Sequence, residues 1–293
     1  VIFIKSIYKF KLINEKNMSK KLKKISFPIK KPLIMGILNV TPDSFYDGGK
    51  FLSIEKALDQ VHKMQNEGVD IIDIGAFSSK PNANEISIEE EKKRITPVVK
   101  EIIKSFPNLY LSVDTYRTKI AETCVNLGVK MINDIYGGRY DESMIKFITN
   151  NKIPYVLMHM RGNPRTMQKN INYDNFKQEI IEFFNKKNEQ FIKLGHDKLI
   201  IDPGFGFGKT IEQNYKLINM IPDLKKINKN ILIGLSRKSM IYKVLNSNAE
   251  NSLNSTSILN TICLKYGAKI LRVHDVKEAK EVIKMINLIE DNK

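Results

Sequence analysis

Four stretches of this sequence share one design. In NEGVDIIDIG (66–75), NLGVKMINDI (126–135), KLGHDKLIIDPG (193–204) and KYGAKILRVHD (265–275), an amphipathic run ends at a glycine. A short apolar run follows and stops on a polar residue. Glycine just past a helix accepts the left-handed conformation that ends it. The apolar run carries too little polarity for a strand with one wet face. It reads as a strand buried on both sides, as parallel sheets require.

The same reading applied from residue 32 onward finds apolar strands at 33–38, 69–74, 109–113, 130–133, 155–158, 198–201, 231–234 and 269–273. Helical patterns follow them at 53–67, 87–105, 117–127, 141–150, 174–194, 211–220, 252–265 and 276–289. The Asn/Ser-rich stretch 246–257 is expected to be a loop or an irregular lead-in to a helix. Eight strands, each followed by a helix, is the count for a closed (β/α)8 TIM barrel, with a doubly wound sheet as the alternative. The 293 residues suit one such domain, expected over 32–293. Residues 1–31 are lysine-rich with Glu15 as their one acid, and lack the apolar centre of a signal peptide. They are expected to be a basic extension, disordered or upstream of a true start at Met18; an organelle leader is the other reading.

The formal net charge is +16, and lysine supplies 41 of the 48 basic residues. The lysines are spread along the chain without a dense block of arginines and aromatics. A compositional drift toward Lys, Asn and Ile accounts for them better than a nucleic-acid or membrane surface. Cys124 and Cys263 lie in apolar helical contexts, which suggests a reducing compartment without a disulfide framework. No apolar run reaches the length of a membrane span. The cytoplasm is the default location.

Polar residues cluster at the strand ends: Asn39, Asp73, Asp114, Asn133, Asp134, His159, Asp202, Ser236 to Lys238, Arg272 and His274. In a barrel these positions are expected to converge on the C-terminal mouth, where active sites lie. Asp114, Asn133 and Asp202 are short acceptors that need a donor-rich partner when buried. A heterocycle with amidine-like N–H groups, such as a pterin or guanine, supplies one; capping of the following helices is the plainer alternative. DPGFGFGKT (202–210) lacks the spacing of a phosphate loop, and its Phe205 and Phe207 either stack on a flat substrate or pack. Arg237 and Lys238 suit an anion or a ring carbonyl. Arg272 and His274 share a face and precede a helix N-terminus, a combination suited to diphosphate or to a salt-bridged rim. None of the four histidines has zinc spacing. Mg2+ held mainly by diphosphate and one protein oxygen stays open.

MGILNVTPDSFYDGG (35–49), SVDTYR, IND, LMHMRGNPRTMQ (157–168), DPGFGFGK, LSRKS and RVHDV, in that order, resemble the dihydropteroate synthase family over about residues 32–290. The resemblance implies a (β/α)8 barrel that joins 6-hydroxymethyl-7,8-dihydropterin diphosphate to 4-aminobenzoate, releasing diphosphate, in folate biosynthesis. It implies that Asp114, Asn133, Asp202 and Lys238 hold the pterin. Asn39, Arg272 and His274 then bind diphosphate, with Asn39 the protein oxygen for Mg2+. Ser79, Lys80, Pro81, Phe207 and Ser236 lie by the aminobenzoate, under loops 41–50 and 78–82. A homodimer is implied as well. Related barrels that transfer methyl groups from a folate to a corrinoid protein need no diphosphate site. Arg272, His274 and Lys238 oppose that reading, and a non-catalytic pterin-binding paralogue. In IIDIGAFSSKPN (71–82) the chain departs from the family pattern: Ala76, Phe77, Lys80 and Asn82 stand where glycine, glutamate, arginine and glycine are usual. Lysine keeps the charge at 80 but loses the planar fork of arginine.

Overall fold

The computed structural model describes residues 24–40, 49–77, 85–163, 167 and 171–292, with backbone alone over 49–53. Eight parallel strands form one sheet: β1 (Leu33–Asn39), β2 (Ile71–Gly75), β3 (Tyr110–Asp114), β4 (Met131–Asp134), β5 (Tyr155–Met158), β6 (Leu199–Asp202), β7 (Leu232–Ile233) and β8 (Ile270–Val273). Their order is β6-β5-β4-β3-β2-β1-β8-β7. A parallel bridge from Ile201 to Ile231 joins β6 to β7 and closes the barrel. The expected (β/α)8 architecture is therefore the one observed, with no strand limit shifted by more than two residues.

Helices α1 (Gly49–Asn66), α2 (Ile88–Ser105), α3 (Thr118–Leu127), α4 (Ser143–Asn150) and α5 (Phe176–Lys193) follow β1 to β5 in turn. The helix expected at 211–220 is α6 (Ile211–Asn219), and a further helix that was not expected, α7 (Ile221–Ile227), follows it directly. Pro222 lies in the first turn of α7. It lacks the N–H that a continuing helix needs, but the first turn does not use that N–H. A short helix α8 (Ser239–Tyr242), a 3-10 turn (Glu250–Ser252) and α9 (Leu253–Tyr266) lie between β7 and β8, and α10 (Val276–Asp291) follows β8. The repeated glycine does what its position suggests. Gly128 and Gly267 end α3 and α9 with φ of 118° and 113°, where a Cβ would be strained.

Strand side chains alternate between two environments. Outward residues such as Ile72, Val113, Ile132, Leu157, Ile201 and Leu271 pack with helix residues including Val61, Ile95, Ile102, Phe184 and Phe191. Inward residues Met35, Ile71, Tyr110, Met131, Val156, Ile200, Leu232 and Ile270 form a separate apolar layer inside the barrel. Two residues further along, the inward positions are Asp73, Ser112, Asn133, Asp202 and Arg272, with Ile37, Met158 and Gly234 between them. The interior thus turns from apolar to polar within one repeat of the pleat, toward the C-terminal mouth.

The bottom of the interior is closed by the segment before β1. Ile29 is buried in the interior layer, with Ile25 and Phe27 packed against it. The Ile29 N–H donates to Asn230 Oδ1 at 2.8 Å, and Asn230 Nδ2 donates to the Leu199 carbonyl at 3.1 Å. The domain boundary expected at residue 31 falls inside this packed segment. Its apolar residues Ile25, Phe27 and Ile29 alternate with Ser26, Pro28 and Lys30, so by composition it resembles the lysine-rich stretch before it. Ile29→Ala is expected to lower unfolding free energy by about 2–4 kcal/mol, measured from urea denaturation midpoints. A loss below about 0.5 kcal/mol would place the segment outside the folded domain.

Candidate active site

The pleat divides the polar strand ends into two groups. Asp134 and His159 point away from the barrel axis, because Asn133 and Met158 beside them point inward. Asp134 accepts from the N–H groups of Tyr136 and Gly138, each at 2.8 Å, and from the Tyr155 hydroxyl at 2.5 Å. It holds the β4–α4 turn. The His159 ring packs edge-on against Phe183, and burial together with Lys209 holds it well below the usual histidine range. Neither joins the mouth, which corrects the expectation that all strand-end polar groups converge there.

The inward groups form one charged cluster. Arg272 Nε donates to Asp73 Oδ2 at 2.8 Å, and Arg272 Nη2 donates to Asp114 Oδ2 at 2.9 Å. Asn133 Nδ2 donates to the same Asp73 oxygen at 2.8 Å. Asp73 is fully buried, and Asp114 and Asn133 nearly so. Register explains the meeting: Asp73 pairs with Ser112, while Asp114 pairs with both Gly75 and Asn133. Asp114 Oδ1, Asp73 Oδ1 and Ser112 Oγ are buried without a hydrogen-bond partner among the described residues. Burial raises the Asp114 carboxyl above the usual range, against the pull of Arg272, and the nearby Asp73 charge adds to it. A buried acceptor left unmatched is costly, and a donor from a ligand relieves it.

Asp202 ends β6 and accepts from the Gly204 N–H at 2.8 Å. Burial raises its carboxyl against the opposing charge of Lys238. Burial in turn lowers the Lys238 amine to about 8, which Asp202 resists. Lys238 Nζ donates to the Phe205 carbonyl at 2.5 Å and sits 4.5 Å from the centre of the Phe207 ring. The two phenylalanines have different surroundings. Phe205 is fully buried in the core, whereas Phe207 is half-buried beside Met158, Met160 and Tyr116.

A residue that sequence reading left out holds this loop. Lys209 is 4% exposed, and its amine donates to the carbonyls of Gly204 and Phe207 at 3.0 Å and of His159 at 3.3 Å. Burial lowers it to about 7, with Asp202 opposing. Gly204 has φ of 72°, and a Cβ there would lie 2.0 Å from the His159 carbonyl oxygen. The glycines of 202–210 thus let the loop pass against the β5 end instead of wrapping a phosphate.

At the β7–β8 rim, the Ser236 hydroxyl lies 3.1 Å from His274 Nδ1 and accepts from the His274 backbone N–H at 3.3 Å. Desolvation and the Arg272 charge lower the imidazole below its usual range, although part of the residue is open to solvent. A neutral ring whose Nδ1 accepts from Ser236 carries its proton on Nε2. Arg237 is committed elsewhere: its Nε and Nη2 grip both oxygens of Asp275 at 2.8 and 2.7 Å. Of the pair Arg237 and Lys238, only Lys238 faces the mouth cluster. Asn39 is exposed at the end of β1, in register with Gly75. Ser79, Lys80 and Pro81, with most of loops 41–50 and 78–82, lie outside the described residues.

The model of the pterin binding enzyme family matches residues 35–274. Dihydropteroate synthase of Haemophilus influenzae is 41% identical over 256 residues, spanning 87% of this chain and 92% of that protein. The crystal structure of Yersinia pestis dihydropteroate synthase with a sulfonamide drug complex matches with a TM-score of 0.82 at 36% identity, over 89% of this chain and 95% of that one. Xanthomonas albilineans dihydropteroate synthase with 4-aminobenzoic acid matches with a TM-score of 0.82 at 33% identity, over 89% and 94%.

Lys209→Met is expected to destabilise the fold by about 3 kcal/mol, because three inward-facing carbonyls lose their shared donor. Urea titration checks it, and a loss near zero would mean that water replaces the ammonium.

Proposed function

The chain belongs to the dihydropteroate synthase family of pterin-binding enzymes, and from that premise we propose how its mouth cluster works. It joins 6-hydroxymethyl-7,8-dihydropterin diphosphate to 4-aminobenzoate, giving 7,8-dihydropteroate and diphosphate for folate synthesis. The observation that carries the assignment of residues is Asp114 Oδ1, a buried acceptor without a partner among the described residues. Beside it stand Asn133, one of whose amide N–H groups donates to Asp73, and Asp202. Together they suit the N–H donors of a pterin ring. Lys238 suits the ring carbonyl, exchanging its contact with the Phe205 carbonyl for the ligand.

Bond formation follows from charge. The methylene C–O bond breaks with its electron pair going to diphosphate, and the amine lone pair of aminobenzoate forms the new C–N bond before a proton is lost. Positive charge grows on the pterin methylene, and the carboxylates of Asp114 and Asp202 stabilise it. Negative charge grows on diphosphate. The His274 Nε2–H serves it, and so does Arg272 through N–H groups not held by Asp73 and Asp114. The neutral aromatic amine needs no strong base, so the Ser236–His274 contact is not called on as a nucleophile–base pair. Phe207 and Ser236, with Ser79, Lys80 and Pro81, are assigned to aminobenzoate.

Asn39 offers a single amide oxygen, and the described residues contain no group of three or more His, Cys, Asp or Glu that could hold a metal ion. Such a donor set fits Mg2+ carried by diphosphate, with Asn39 as its protein ligand. When bound, the ion offsets charge on the leaving group. The enzyme is assigned to the cytoplasm, in keeping with its unpaired cysteines and with the lack of a helix long and apolar enough to cross a membrane among the described residues. It is assigned as a homodimer, supported by the exposed apolar residues Ile258 on α9 and Met285, Leu288 and Ile289 on α10.

The purified chain with both substrates and Mg2+ is expected to release dihydropteroate and diphosphate in equal amounts. Chelation by EDTA should stop turnover and added Mg2+ restore it. Lys238→Ala and Arg272→Ala should each lower kcat/KM by about 100-fold or more. Absence of product would overturn the reaction, and wild-type rates in both variants would overturn the residue roles. Sedimentation should give twice the mass of one chain; a monomer at micromolar concentration would rule out the dimer.

A further inference from the structure

We propose that Asp73 is a positioning residue that decides which atom Asn133 offers to the pterin and how Arg272 lies. The inference rests on the pterin reading above. Asp73 belongs to the inward layer just beneath the mouth. It is fully buried, so its role runs through its neighbours.

One oxygen, Asp73 Oδ2, receives both Asn133 Nδ2 and Arg272 Nε, each at 2.8 Å. An ionised carboxylate only accepts, whereas a carboxamide can present either its NH2 or its oxygen. With Asp73 beside it, the NH2 of Asn133 is turned toward Asp73, where one of its two N–H groups is spent, and Oδ1 is left as the acceptor for a ligand. The acceptor character of Asn133 is therefore set by its neighbour on β2. The same oxygen fixes the rotation of the Arg272 guanidinium, whose Nη2 then meets Asp114 Oδ2 at 2.9 Å. Through two hydrogen bonds, one atom on β2 aligns side chains on β4 and β8, and through Arg272 a third on β3.

A swap of the pair separates this role from a purely structural one. In Asp73→Asn, the new amide can donate to Asn133 Oδ1 and let that side chain turn its NH2 toward the ligand. A donor then faces a donor. In the double variant Asp73→Asn with Asn133→Asp, the amide donates to the new carboxylate, whose second oxygen again faces the ligand as an acceptor. The pair keeps its net charge. Calorimetric titration with 6-hydroxymethylpterin is expected to show a loss of about tenfold or more in affinity for Asp73→Asn. The double variant should recover to within about threefold of wild type. The KM for aminobenzoate should hold steady in both.

Wild-type affinity in Asp73→Asn would overturn the proposal. So would a double variant that binds no better than the single one, since only orientation is restored by the swap. If Asp73→Asn does not fold, a crystal structure of wild type with 6-hydroxymethylpterin decides: a ring N–H facing Asn133 Oδ1 is expected, and a ring acceptor facing Asn133 would overturn the proposal. A folded wild-type chain that binds no pterin would instead overturn the pterin reading, and this inference with it.

Discussion

The bifurcated ion pair of Arg272 with Asp73 and Asp114 is the interaction around which the rest of the mouth is built. It places a cation between two carboxylates inside a barrel whose next layer down is apolar. Taking such charges from water costs several kcal/mol per ion, and their mutual attraction repays this only with good geometry. Here the geometry is fixed by three strands in parallel register. Asp73 and Asp114 lie two residues apart in the ladder, within reach of the two ends of one guanidinium. Even so, the cluster keeps unmatched acceptors. That residue of electrostatic tension, located where a ligand can reach Asp114, is the physical basis for binding a donor-rich ring.

The surrounding structure holds that tension in place. The apolar layer from Met35 to Ile270 and the plug around Ile29 close the interior below. Above, Lys209 gathers the carbonyls of the 204–207 loop and of His159, so the loop that carries Phe207 is tied to the end of β5. Arg237 neutralises Asp275 at the start of α10, which keeps one more carboxylate from adding to the mouth. Charges with no substrate role thus govern the field in which the substrate groups act.

Much of this was legible from residue order. The glycine-led strands announced a parallel barrel, because buried parallel strands leave a run of apolar residues that few other structures tolerate. Asp114, Asn133, Asp202, Lys238, Arg272 and His274 were visible as polar residues interrupting those runs. Lys209 was not, since a lysine after a glycine-rich loop looks like a surface residue until its carbonyl partners are known. Asp134 and His159 looked like members of the site. A one-residue difference in phase along the pleat sends them outward, and that phase shows only when the inward apolar layer is identified.

By itself the sequence determined the class of fold, the strands that carry chemistry and the family to which the motifs belong, since these depend on local periodicity and on residue types at short spacing. Tertiary structure alone decided which side chains meet. Asp73 and Arg272 are 199 positions apart, and only the pairing of β8 with β1 brings Arg272 within reach of β2. It also decided that Asp73 is a partner of Asn133 and not an isolated strand-end acid, because hydrogen-bond polarity belongs to pairs of groups in space and no single residue carries it along the chain.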